Sequence, residues 1–243
     1  MKVVCIMQAR VGSTRLPRKV LKEIQGKSIL EHDIVRLRKV ENIDEIIIAT
    51  TIEDRDIEIV NEANRLGVKY FRGSENDVLS RYYLAAKENG ADIVIRVTSD
   101  CPLLDSRVTQ ETISYLLDNL DKYDYVSNTL TPSFPRGLDI EAFTFASLER
   151  AYNEAKLTRE REHVTPYIYT NKDQFRLGCY KNKIDYSSYR WTLDTTEDFE
   201  FISAIYDRLY KTNPSFNMED IIKLLASQPE LIKINEDIIQ KSI

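Results

Sequence analysis

Three short runs, residues 3–7, 46–51 and 93–98, are mostly apolar and rich in β-branched side chains on both alternating faces. A strand of that kind must be covered on both sides, which is the condition of a parallel sheet layered between helices. The stretches between the runs supply the helices. In residues 28–39, Leu30, Ile34 and Leu37 recur at helical spacing, and Ile29 and Val35 widen the apolar face. Residues 54–66 and 77–89 also read as helices, and Gly67 and Gly90 stand where a helix ends on a left-handed residue. With residues 68–71 as a further strand, the first hundred residues alternate strand and helix. The pattern predicts a doubly wound α/β fold.

Beyond residue 100 the pattern predicts helices over 105–120, 145–155, 162–169, 196–209 and 218–227, the third of them interrupted by Pro166. Strands are expected over 123–127, 138–143, 175–180 and 189–193, with a loop marked by Pro132, Pro135 and Gly137. No repeat or linker divides the chain, and 243 residues suit one domain, with 211–243 as a helical C-terminal extension.

Composition narrows the function. Lys and Arg number 34 against 39 Asp and Glu, a net charge of −5, which disfavours a general nucleic-acid coat. Cys5, Cys101 and Cys179 form no CxxC pair, so neither a disulfide framework nor a structural zinc site is expected. The apolar run at residues 3–7 is too short for a signal-peptide core or a membrane span. A cytoplasmic protein without membrane contact is expected.

Against this acidic background one segment is basic. Residues 10–22, directly after the first strand, hold Arg10, Arg15, Arg18, Lys19 and Lys22 and no carboxylate. Ligands of open α/β sheets bind beyond the carboxyl ends of the strands. There, Gly12, Ser13 and Thr14 can offer N–H groups and hydroxyls to phosphate oxygens, while the cations neutralise a polyphosphate. The segment matches neither a Walker A loop nor GxGxxG; a solvated basic turn is the plainer alternative.

Two acids end strands. Asp100 precedes Cys101 and Pro102 and can hold Mg²⁺, which takes one or two carboxylates plus phosphates and water, or can simply form a turn. Asp194 ends the 189–193 run and is equally open to a ligand or a cap role. Asp105 and Asp77 suit helix N-caps, and Thr195 or Thr196 with Glu197 or Asp198 suits another helix start. The charged run at residues 159–163 ends in His163, one of two histidines, for which a structural role is the plainer alternative to a functional one.

Taken together, ARVGSTRLPRK, FRGSENDVLSRYY, RVTSDCPLLD, FPRGLDIEAF, REHVTPYIY and RWTLDTTED resemble the sugar cytidylyltransferases, and most nearly the spore-coat polysaccharide biosynthesis protein F group. The likeness runs from about residue 2 to 210. It implies a nucleotide-diphospho-sugar transferase fold, a mostly parallel sheet with one reversed strand. It also implies CTP and Mg²⁺, an acidic sugar or sugar phosphate as acceptor, pyrophosphate as product, and a homodimer. By motif, Arg10, Arg15 and Lys19 would act on the triphosphate. Gln8, Ala9, Gly12, Ser13, Thr14, Arg72, Gly73, Ser74 and Thr98 would bind nucleotide, and Asp100 and Asp194 the metal. Gly137, Asp139, Glu141, Arg161, Glu162, His163 and Arg190 would line the sugar side. The chain departs from the wider superfamily at Gln8, where Pro is usual, and at Ser99, where Gly is usual. A glycosyltransferase would be expected to carry a DxD where this chain has Ser99-Asp100-Cys101; a nucleotide-binding assembly protein without turnover is the alternative from another class.

Overall fold

A computed structural model describes residues 1–239. Its strands are β1 (Val3–Gln8), β2 (Glu23–Ile24), β3 (Lys27–Ser28), β4 (Glu45–Thr51), β5 (Lys69–Gly73), β6 (Ile93–Thr98), β7 (Tyr125–Ser127), β8 (Glu141–Thr144) and β9 (Leu177–Cys179). Its helices are α1 (Ile29–Leu37), α2 (Ile57–Leu66), α3 (Val78–Glu88), α4 (Ser106–Leu117), α5 (Phe145–Glu154), α6 (Thr158–His163), α7 (Pro166–Thr170), α8 (Thr196–Leu209) and α9 (Met218–Ser227). Seven strands form one sheet in the order β5-β4-β1-β6-β8-β7-β9, and β2 and β3 form a separate hairpin. Among the described residues β8 alone runs against the others, pairing antiparallel with both β6 and β7. The doubly wound, mostly parallel sheet with one reversed strand is therefore present.

Alternation along β1 explains the layering. Val3, Cys5 and Met7 join one core cluster with Leu30 and Ile34 of α1, and Val4 and Ile6 join another with Leu79 and Tyr82 of α3. Helix ends follow the local signals. Ser28, Asp77, Asp105 and Thr195 accept from N–H groups of the first turns of α1, α3, α4 and α8, and Gly67 and Gly90 take φ of 62°. No helix of the described residues is long and apolar enough to cross a membrane.

Three expected elements differ. The 138–143 strand begins only at Glu141, because the Asn128 side chain takes the place of a strand partner: its Nδ2 donates to Leu138 O at 2.6 Å and its Oδ1 accepts from Ile140 N at 2.9 Å. The 189–193 strand reduces to one bridge, Arg136 with Arg190. Its facing segment is broken by Pro135, which lacks an N–H, and by Gly137 at φ 104°, and Leu193 N turns instead to Asp100 O at 2.8 Å. The 162–169 helix divides at Val164, whose φ of 72° and ψ of −57° make a γ-turn closed by Thr165 N to His163 O at 2.9 Å. Positive φ at a β-branched residue is strained, by about 1–3 kcal/mol, and Val164 holds it with its side chain fully buried.

Of the expected C-terminal extension, residues 240–243 lie outside the described residues. The remainder holds α9 and a 3₁₀ turn, Pro229–Ile234, seated against α1 and α8 through Phe216, Met218, Ile221 and Leu231. Buried Arg36 joins this layer to the loop after β6: Nη1 donates to Leu104 O at 3.1 Å and to Phe216 O at 3.0 Å.

Candidate active site

The sheet reverses its order of winding at β1, which lies between β4 and β6, and Gln8 at its end is in register with Ala49 and Thr98. Loops leaving β1 and β6 therefore open side by side, the usual place for a ligand crevice. A cleft of about 580 Å³ lies there, within the range of small-molecule sites.

The basic loop forms one wall. Val11 N donates to Asp56 Oδ1 at 2.7 Å, tying the loop to the start of α2, and Ser13 N and Arg18 N both donate to Val11 O. The N–H groups of Gly12, Thr14 and Arg15 donate to no protein acceptor among the described residues and are free for an anion. Arg18 turns away to Glu58.

Across the floor, Lys19 Nζ donates to Asp100 Oδ2, Asp194 Oδ1 and Leu193 O, each at 2.8 Å. Arg15 and Arg190 each reach Asp194 Oδ2 at 3.1 Å. Burial works against ionisation of Asp194, but Lys19, Arg15 and Arg190 outweigh it and hold the carboxyl below its ordinary value. Burial likewise opposes the charge on Lys19, and the two carboxylates override it and raise its pKa. Asp194 is held from behind as well. Arg190 and the N–H of Asp194 both bond the buried carboxylate of Asp198, which belongs to the capping box of α8. Two carboxylates drawn to one cation form an oxygen donor set that suits Mg²⁺, whose other ligands are commonly phosphates and water. No third acid, His or Cys joins them among the described residues.

Beneath Gln8 lies a second charged group. Arg96 Nη1 is bonded to Glu141 Oε2, and Arg96 Nη2 reaches Gln8 Oε1 at 3.4 Å. Glu141 Oε1 accepts from Tyr125 and from Thr165, each at 2.5 Å. The strained turn at Val164 makes this possible, sending Thr165 inward to Glu141 while His163 faces the cleft. Burial pushes the His163 pKa down, which favours a neutral ring near pH 7.

Of the residues singled out from sequence, Gln8, Ala9, Arg10, Gly12, Ser13, Thr14, Arg15, Lys19, Thr98, Asp100, Glu162, His163 and Asp194 all line the cleft. The others stand outside its lining. Arg72 donates to Thr51 O and Glu53 O, and Ser74 accepts from Asp77 N. Gly73 packs against the stem of Arg81. Arg161 is paired with Asp77, Glu141 lies under the cleft with Arg96, and Gly137 lies against the Trp191 backbone. Asp139 is partly buried beside these, and Arg190 faces a separate cavity with Arg136 and Asn235.

Val20, Val78, Arg81 and Thr158, to which the sequence assigns no site role, also line the cleft, as do Glu75, Asn76 and Ser99 from segments the sequence marks. For Arg81 a signal existed: it shares the stripe of Val78, Tyr82 and Ala85 on α3, where a cation is out of place.

Comparison with known proteins agrees with this architecture. A family model described as cytidylyltransferase matches residues 4–238. An uncharacterised protein of Methanocaldococcus jannaschii is 42% identical over 247 aligned positions, covering 100% of this chain and 98% of that one. The spore coat polysaccharide biosynthesis protein SpsF of Bacillus subtilis is 30% identical, covering 94% of this chain and 95% of its own. A solved cytidylyltransferase structure from Leptospira borgpetersenii superposes with a TM-score of 0.92 at 35% identity, with 100% of both chains covered. A basic loop after β1, the Asp100 and Asp194 carboxylates joined through Lys19 and a family match over nearly the whole chain lead to one conclusion: this chain belongs to the cytidylyltransferase family.

Proposed function

We propose that the protein transfers the cytidylyl group of CTP to an acidic sugar or a sugar phosphate, releasing pyrophosphate, for surface or spore-coat polysaccharide synthesis. The observation that carries this is the convergence of the phosphate-ready loop and the Asp100–Lys19–Asp194 group on one cleft. In this reaction an acceptor oxygen attacks the α-phosphorus, and the bond to pyrophosphate breaks in line. The protein's part is positioning and charge stabilisation.

The free N–H groups of the loop and Arg10 take phosphate oxygens. Lys19 stands where phosphates and carboxylates would meet and can trade a carboxylate for a phosphate oxygen. Asp100 and Asp194 would hold Mg²⁺, which supplies charge neutralisation on the phosphates when bound. His163 and Glu162 lie along the cleft wall, open to a sugar's hydroxyls.

The test is pyrophosphate release from each of the four ribonucleoside triphosphates with Mg²⁺, against sugar acids and sugar phosphates. Release is expected with CTP and an acceptor together, and its loss in Asp100→Asn, with circular dichroism confirming that the variant is folded. Release with another triphosphate overturns the CTP assignment. CTP binding unaffected by Mg²⁺, with no release across the panel, favours a nucleotide-binding protein without turnover.

A further inference from the structure

Most cations of the cleft are already matched within the fold. Lys19 is shared by Asp100 and Asp194, and Arg15 is paired with Asp194. Arg10 approaches Glu75 at 3.5 Å, but Glu75 also receives Arg55.

Arg81 is different. Its residue is 2% exposed, and its buried Nε and Nη1 meet no hydrogen-bond acceptor among the described residues. Among the described residues no carboxylate stands within ion-pair distance of it; Asp56 and Glu75 act on its charge only from further off, although it lines the cleft with Glu75. The fold makes room for it: a Cβ on Gly73 would come within 2.8 Å of Arg81 Cγ. A buried guanidinium with unmet donors is destabilising, which a fold tolerates where a ligand supplies the missing acceptors. Arg10 lines the same cleft and its charge repels that of Arg81. An oxyanion between them would relieve both the repulsion and the unmet donors.

We propose that Arg81, with Arg10, binds an oxyanion of a substrate, a phosphate or a carboxylate, at the α3 side of the cleft. The identity of that substrate rests on the cytidylyl-transfer assignment above; the anion site itself does not.

The test is calorimetric titration of the wild-type chain, Arg81→Met and Arg81→Lys at fixed ionic strength. The probes are inorganic pyrophosphate, CTP, and 3-deoxy-manno-octulosonate added in the presence of CTP. If a phosphate is bound, Arg81→Met loses at least tenfold in affinity for pyrophosphate and CTP, and Arg81→Lys keeps part of it. If a carboxylate is bound, pyrophosphate and CTP titrate unchanged and only the sugar acid loses tenfold. In either case the ligand-free Arg81→Met melts at or above the wild-type temperature, since a stranded charge has been removed. Affinities within twofold of wild type for all three probes overturn the proposal, as does a wild-type chain that binds none of them. A large fall in melting temperature with unchanged affinities assigns Arg81 a structural role instead. Pyrophosphate binding that needs Arg81, without CTP binding, would sink the cytidylyl-transfer assignment and leave the anion site standing.

Discussion

The ammonium of Lys19 lies 2.8 Å from Asp100 Oδ2, a residue 81 positions further along the chain. The same ammonium meets Asp194, so one lysine holds two carboxylates together at the cleft floor. Their mutual repulsion is what Lys19 relieves. In Lys19→Met we expect cytidylyl transfer to fall at least a hundredfold and stability to fall by about 3 kcal/mol, since acids on the partly buried floor lose their counter-charge. Mg²⁺ should raise the melting temperature of this variant more than that of the wild type, because the freed carboxylates can take the cation in place of the ammonium. Transfer within threefold of wild type would remove Lys19 from the mechanism.

The Arg96–Glu141 pair is predicted to act as a unit. Glu141→Gln leaves the Arg96 guanidinium buried against a neutral amide and weakens the acceptor shared by Tyr125 and Thr165. We expect a loss of about 3 kcal/mol. Adding Arg96→Met should recover much of it, giving a coupling energy of about 1.5 kcal/mol or more in a double-mutant cycle. Urea unfolding of the four proteins measures it; losses that simply add would refute the coupling.

Gly137→Ala should damage the site from a distance. The new Cβ would stand 2.7 Å from Trp191 C and 2.8 Å from Thr192 N, at a backbone φ of 104° that disfavours alanine. The segment leading to Asp194 must then shift. The expected cost is about 1–3 kcal/mol in stability, with a drop in kcat accompanying it. An unchanged melting temperature and kcat would show that the segment accommodates the methyl group.

Asp139 sets a pH dependence. Burial pushes its pKa up to about 6, helped by Glu141 and Asp100 and opposed by Arg136 and the Gly137 N–H. The folded chain keeps a proton that the unfolded chain releases near 3.8, so Asp139 lowers stability progressively as pH rises from about 4 to about 6 and no further above that. Asp139→Asn should abolish this slope. The gap between its melting temperature and the wild-type value opens across that window and is constant above it; parallel curves from pH 4 to 7 would contradict the assignment.

The amino-acid sequence alone determined the buried parallel strands, the capped helix starts and the basic loop. Alternating apolar faces specify buried strands such as Val3–Gln8, and Asp77, Asp105 and Thr195 cap helices through bonds to N–H groups two or three residues away. These signals act within a turn or two, so they survive in the sequence. Tertiary structure decided the rest. The Asn128 amide replaces a strand partner for Leu138 and Ile140, and the turn at Val164 separates the directions of His163 and Thr165. Lys19 meets Asp194 across 175 residues, and Arg81 stands at the cleft with its buried Nε and Nη1 unmet because, among the described residues, the fold brings no acceptor within hydrogen-bond reach of them. Which charges neutralise one another depends on distances that exist only once the sheet has closed, and those distances select the groups left for a ligand.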